Sequence, residues 1–77
     1  MEYNQNKVDE VVLALLYLTL HDENRAWKGH DWDVMDRLFH KGLIENPQNK
    51  TKSVVLTDDG LRQCKELFQK HFQTTDK

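Results

Sequence analysis

Residues 31–57 read DWDVMDRLFHKGLIENPQNKTKSVVLT, and the order of signals in this stretch decides the fold. Asp31 can cap a helix, its carboxylate accepting from free backbone N–H groups. Asp33 puts negative charge into the first turn, where the helix dipole favours it. Trp32, Met35, Leu38 and Phe39 recur at spacings of three and four, one apolar face of a helix. His40 and Lys41 fall in the last turn, beside exposed carbonyls. Gly42 then supplies the left-handed residue that ends many helices, and Leu43 can fold back onto Leu38. Leu43 and Ile44 open a strand. Asn46, Pro47, Gln48 and Asn49 signal a turn or loop. Residues 53–56, rich in valine, are long enough for one return strand. Thr57 caps the next helix, with Asp58 and Asp59 in its first turn.

Upstream, Asn6 is a plain helix cap, with Asp9 and Glu10 in the first turn. Val8, Val11, Val12, Leu15 and Leu18 form one apolar stripe and Leu13, Leu16 and Leu20 a second. A helix apolar on most sides must be covered on most sides, so it is a central core helix or also part of a dimer interface. His21 to Asn24 is a polar break. Residues 25–29 suggest a short helix ended by Gly29, with Trp27 as its anchor in the core. Downstream, Leu61, Cys64, Leu67 and Phe68 share a helix face, and Gly60 in its first turn suggests close backbone packing. The spacing therefore predicts three main helices near 7–20, 31–41 and 58–72, and one short helix near 23–28. A β-hairpin wing would pair about 43–45 with 53–56. This is an α+β, winged-helix-like architecture. Its expected core is Trp32, Leu38, Leu43, Leu56, Leu61 and Phe68, over Leu13 or Leu16. Residues 1–6 form a flexible leader, 7–72 a single domain and 73–77 a polar tail.

With 77 residues there is room for one domain. A chain this short buries only about 60% of its unfolded surface, so its stability margin is thin. The single Cys64 excludes an internal disulfide. No apolar run approaches a membrane span. The opening MEYNQNKVDE is polar and acidic, unlike a signal peptide, so a cytoplasmic protein is expected. Net charge is −2, a poor match to nucleic acid as a whole. Its distribution matters more. Residues 1–38 hold four Lys or Arg against eight Asp or Glu, whereas residues 39–77 hold seven against five. An anion-binding surface is therefore expected in the second half, around Lys50 and Lys52.

The segment KGLI, a polar loop and SVVLTDDG resembles the GLI…LT..G signature of winged-helix regulators, including the multiple-antibiotic-resistance and phenolic-acid types. The longer string DEVVLALLYLTLHD…RAWKGHDWDVMDRLFHKGLI…KSVVLTDDG resembles a family of small uncharacterised bacterial domains. That family shares an Ala-Trp-Lys element and a Phe-Asp-Trp-Asp element. The likeness covers roughly residues 8–72, with His30 standing where the family typically has Phe. It implies no activity, cofactor or site residue.

The chain offers no recognisable catalytic machinery. His21, His30, His40 and His71 are dispersed and form neither HExxH nor a Cys/His cluster. Cys64 lies on an apolar face, the setting of a core thiol rather than a nucleophile. Asp31 and Asp33 suit helix-end electrostatics, and Asp36 can pair with His40 one turn on. No Gly-rich phosphate loop is present. The expectation is a protein that is not an enzyme and takes no metal or cofactor. Two binding classes fit. One is a DNA-binding module whose recognition helix is 31–41, with Arg25, Lys28, Lys50 and Lys52 on phosphates and Arg37 on a base edge. The other is a protein-interaction or dimerisation domain, possible partners being an unknown protein or a second copy met through the first helix.

Overall fold

The structure, a computed structural model, describes residues 1–74. Helix α1 spans Gln5–Leu15 and runs on as a 3-10 turn, Leu16–Thr19. Strand β1 is Arg25–Trp27, helix α2 Trp32–His40, strand β2 Ser53–Val55 and helix α3 Asp58–Phe72. Three helices and an antiparallel strand pair make an α+β domain, as expected. Helix α1 starts earlier than Asn6 suggests: the Asn4 side chain accepts from the Lys7 N–H at 3.0 Å and is the cap. Both asparagines suit the role by type, and the earlier one places Asp9 a turn into the helix, facing inward. Gln73 and Thr74 follow α3 without regular structure, and 75–77 of the expected tail lie outside the described residues.

The short second helix near 23–28 does not form. Asp22 and Glu23 take left-handed backbones, with φ of 48° and 72°, and reverse the chain. His21 and Arg25 then exchange backbone hydrogen bonds of 2.8 and 2.9 Å across the turn. Arg25, Ala26 and Trp27 continue as β1, pairing with Val55, Val54 and Ser53 of β2. Ala26 points inward and is fully buried, while Trp27 points outward. That in–out alternation is a strand's, and one small residue among three gives too little of it to read from sequence. Trp27 is thus no core anchor.

Strand β2 is paired on both sides. Its far side meets the segment after α2 in an isolated bridge between Ile44 and Leu56. The expected pairing of 43–45 with 53–56 therefore exists, but the longer ladder of β2 runs with β1. The outward N–H groups of β1 are also engaged: Arg25 donates to the His21 carbonyl and Trp27 to Thr19 Oγ1, both at 2.9 Å. A helix-turn-helix needs a second helix joined to α2 by a short turn. Among the described residues, β1 occupies that place.

The junction of α2, β2 and α3 explains the glycine and threonine spacing of the sequence. Gly42, at φ 77°, lets the Leu43 N–H return to the Leu38 carbonyl at 3.0 Å and ends α2. Thr57 caps α3 by accepting from the Gly60 N–H at 3.0 Å, and its hydroxyl donates to the Gly42 carbonyl at 2.8 Å. The Thr57 N–H donates to the Leu43 carbonyl. Gly60 sits so near that carbonyl that an added Cβ would lie 1.7 Å from its oxygen. The close packing expected at Gly60 is present, and any side chain there collides with backbone.

Leu13, Leu16, Leu38, Leu43 and Leu56 are buried, as expected, together with Met35, Ile44 and Val54. Leu61 and Phe68 are only partly buried, and Phe68 stacks against Tyr17 with ring centroids 4.7 Å apart. Trp32 is misplaced in the expected core: it is 50% exposed, and Val34 takes the inward position. The inward arc of α2 is centred on Val34, Met35 and Leu38, with Phe39 partly buried against the core as expected and Trp32 outside it. At about 100° per residue this is a turn of the helix away from Trp32. It swings Arg37 towards α1.

Candidate functional site

On the α1–α2 side, charge is held inside. Asp9 is only 1% exposed and receives Arg37 Nε at 2.9 and 3.0 Å, Arg37 Nη2 at 2.7 Å and Lys41 Nζ at 2.9 Å. Such a forked guanidinium–carboxylate contact is among the strongest polar pairings. Burial opposes the Asp9 charge, but the hydrogen bonds and positive charge of Arg37 and Lys41 outweigh it and hold its pKa below the ordinary 3.8. The bond to Asp9 likewise raises the Arg37 pKa against the effect of burial. Arg37, the candidate for a base edge, is therefore engaged within the fold.

Across α1, Glu10 faces α3. His71 Nε2 is within hydrogen-bond reach of its carboxylate, and Lys70 and Lys7 lie at 3.5 and 3.9 Å. The His71 contact is the first cause of its lowered pKa; burial works against it, and the two lysines add to it. His40 pairs with Asp36 at 3.5 Å, the expected one-turn contact. Cys64 is buried, and that burial pushes its thiol up to about 11, against a small opposing pull from Lys65. A thiol held protonated is a poor nucleophile. Among the described residues, no three His, Cys, Asp or Glu side chains come together to hold a metal ion.

The sheet side is arranged differently. Arg25, Lys28, Lys50 and Lys52, the four candidate phosphate contacts, belong to β1, the residue that follows it and the loop before β2. Arg25 and Trp27 share the outward face of β1, and Arg25 Nε donates to Ser53 Oγ at 3.2 Å. Lys28 is drawn into the loop. Its ammonium donates to the carbonyls of Pro47 and Asn49 at 2.6 and 3.0 Å and to Asn49 Oδ1 at 2.7 Å. An ammonium has three donors, so these bonds use its full capacity. Asn46 and Asn49 side chains tighten the same loop through Gln48 and Thr51, and Pro47 is buried beneath it. Lys50 and Lys52 remain exposed.

Trp27 stands at the centre of this surface, 63% exposed. It separates two open depressions. One, of about 550 Å³, is lined by Trp27, Lys28, Gly29, Thr51 and Lys52. The other, of about 400 Å³, is lined by Trp27, Thr19, Leu20, His21 and Leu18, which is 67% exposed. The loop of polar residues thus becomes a rigid wall beside an aromatic ring. Sequence reasoning placed the cations but missed Trp27 and Leu18. The available signal was Arg-Ala-Trp, one small residue between two large ones, which fits a strand with a buried middle.

An α+β domain with this helix and strand order defines the fold class. Within it, the chain belongs to the family described as "Domain of unknown function (DUF6429)", whose model matches residues 4–74. It is 58% identical over 72 residues to "Uncharacterized protein y4hR" of Sinorhizobium fredii (strain NBRC 101917 / NGR234), covering 94% of this chain and 97% of that protein. No solved structure matches. Among the described residues, no helix is long and apolar enough to cross a membrane.

Proposed function

We propose that this protein is a non-catalytic protein-interaction module on a winged-helix-like scaffold, and that its contact surface is the sheet face around Trp27. The observation that carries this reading is Trp27 itself, held by β1 pairing yet 63% exposed between two depressions. Exposed aromatics fixed on a rigid element are the anchors of protein interfaces, because little freedom is lost on contact. The adjoining Leu18 extends the apolar area.

The duplex-DNA reading draws less support. A recognition helix needs outward cations, and Arg37 is bound to Asp9. The outward residues of α2 include Asp33 and Asp36, which repel phosphate. Lys28 has no donor left for a phosphate oxygen. The direct test keeps Trp27 and places a photo-crosslinking residue at position 29, which lines the depression beside it and where an added side chain meets nothing within 4 Å, and in a second protein at position 36, within cells of the source organism. The expected result is one discrete protein adduct from position 29 and none from position 36. Adducts to nucleic acid, or none from either position, would overturn the proposal.

A further inference from the structure

We infer that the Trp27 surface takes an acidic, apolar-anchored segment of a partner protein, its apolar side chains seated beside Trp27 and its carboxylates over Lys50, Lys52 and Arg25. This rests on the interaction-module reading above. Charge complementarity selects the occupant. Neither depression beside Trp27 is lined by an Asp or Glu, although the whole chain carries a net charge of −2. Lys28 and Lys52 line one depression, Arg25 shares the outward face of β1 with Trp27, and Lys50 is exposed two residues before Lys52, while the exposed Asp22 and Glu23 lie in the turn before β1 and outside both linings. The positive field is local, so it favours a local run of carboxylates rather than any large anion.

The apolar half of the surface separates a peptide from a single nucleic-acid strand. A strand of nucleic acid would stack a base on Trp27 and lay phosphates on the cations. It would leave Leu18 and Leu20 against water or sugar. Those aliphatic side chains line the second depression and offer no stacking plane, but they accept a leucine or phenylalanine side chain. The Lys28 ammonium is also fully hydrogen-bonded to loop oxygens, so it contributes charge without a donor for phosphate.

The test uses the full chain with Trp32→Phe, which leaves Trp27 as its one tryptophan. The probes are short synthetic peptides of alternating Leu and Glu, of Leu and Lys, and of Ser and Glu, together with oligothymidylate of matching length. Trp27 emission is followed at low salt. The expected result is saturable binding of the Leu–Glu peptide, weakened about tenfold by Lys50→Glu with Lys52→Glu and again by Leu18→Ser. Equal binding of the Leu–Lys peptide would sink the acidic occupant and leave the interaction surface standing. Tighter binding of oligothymidylate would sink both, assigning the face to single-stranded nucleic acid. Self-association that Lys50→Glu with Lys52→Glu abolishes would assign it to a second copy instead. Silence towards every probe up to millimolar concentration would overturn the inference.

Discussion

The α1–α2–α3 side and the β1–loop side of this domain use the same kinds of residue for opposite ends. On the first, Arg37 and Lys41 close on a buried carboxylate, and Gly60 abuts the Leu43 backbone. On the second, Lys28 and the asparagines stiffen a loop so that Trp27, Lys50 and Lys52 can face water. Charge type alone does not tell a binding cation from a structural one. The presence of protein acceptors within reach does: the Asp9 carboxylate for Arg37 and Lys41, and the oxygens of Pro47 and Asn49 for Lys28. Asp9 is what removes Arg37 from the surface.

The contrast has graded consequences. Gly60→Ala should do most damage, beyond the roughly 3 kcal/mol upper end of ordinary overpacking, because the obstacle is backbone. Thermal melting should show a largely unfolded population, and a melt like wild type would mean that α3 can slide from Leu43. Arg37→Ala comes next, costing about 2–4 kcal/mol, somewhat under a fully broken buried pair because Lys41 still faces Asp9. Denaturant titration measures it. If the cost is near zero, the Asp9 cluster is ornamental and Arg37 is available to a partner.

Acid should strike the same side. Asp9 and Glu10 both titrate below their ordinary values of 3.8 and 4.5 in the folded chain. Groups with lowered folded pKa values bind protons more readily once unfolded, so their contribution is full above about pH 4.5 and fades as pH falls through the lowered values. Melting temperature should drop in that window, and Asp9→Asn should flatten the drop. A drop centred near neutral pH would point elsewhere.

The sheet side should respond more gently. Lys28→Met should cost about 1–2 kcal/mol, since it removes charge-assisted bonds at a partly exposed loop. Amide exchange should quicken across 46–52 while the helices keep their protection. Trp27→Ser should change stability by no more than about 0.5 kcal/mol, as a surface substitution does. A large loss on Trp27→Ser would make Trp27 a packing residue and erase the contrast.

What could be read in the residues was local. Asp31 and Thr57 cap their helices and Gly42 ends α2, each through neighbours a few positions away, while Gly60 announced close packing by residue type without naming Leu43 as what it packs against. What could not be read depends on distant partners. Strand β1 exists because Ala26 meets Val54, and α2 is phased by Arg37 reaching Asp9 across 28 residues of chain. Three-residue strands carry no measurable period, so RAW could pass for a helical turn. For the candidate site, the cations were visible as residue types, but their sorting into engaged and exposed was not. That sorting rests on the Lys28 and Asp9 contacts.

The outer edge of β1 has a consequence for assembly. Its two outward amides are already bonded to His21 and Thr19, so no further strand can join the sheet there. Sheets with open edges recruit neighbours through backbone, almost irrespective of side chains, and are prone to runaway stacking. This edge is closed to such recruitment. Whatever meets the β1 face must recognise side chains, so its hold should be selective and easily tuned by single substitutions.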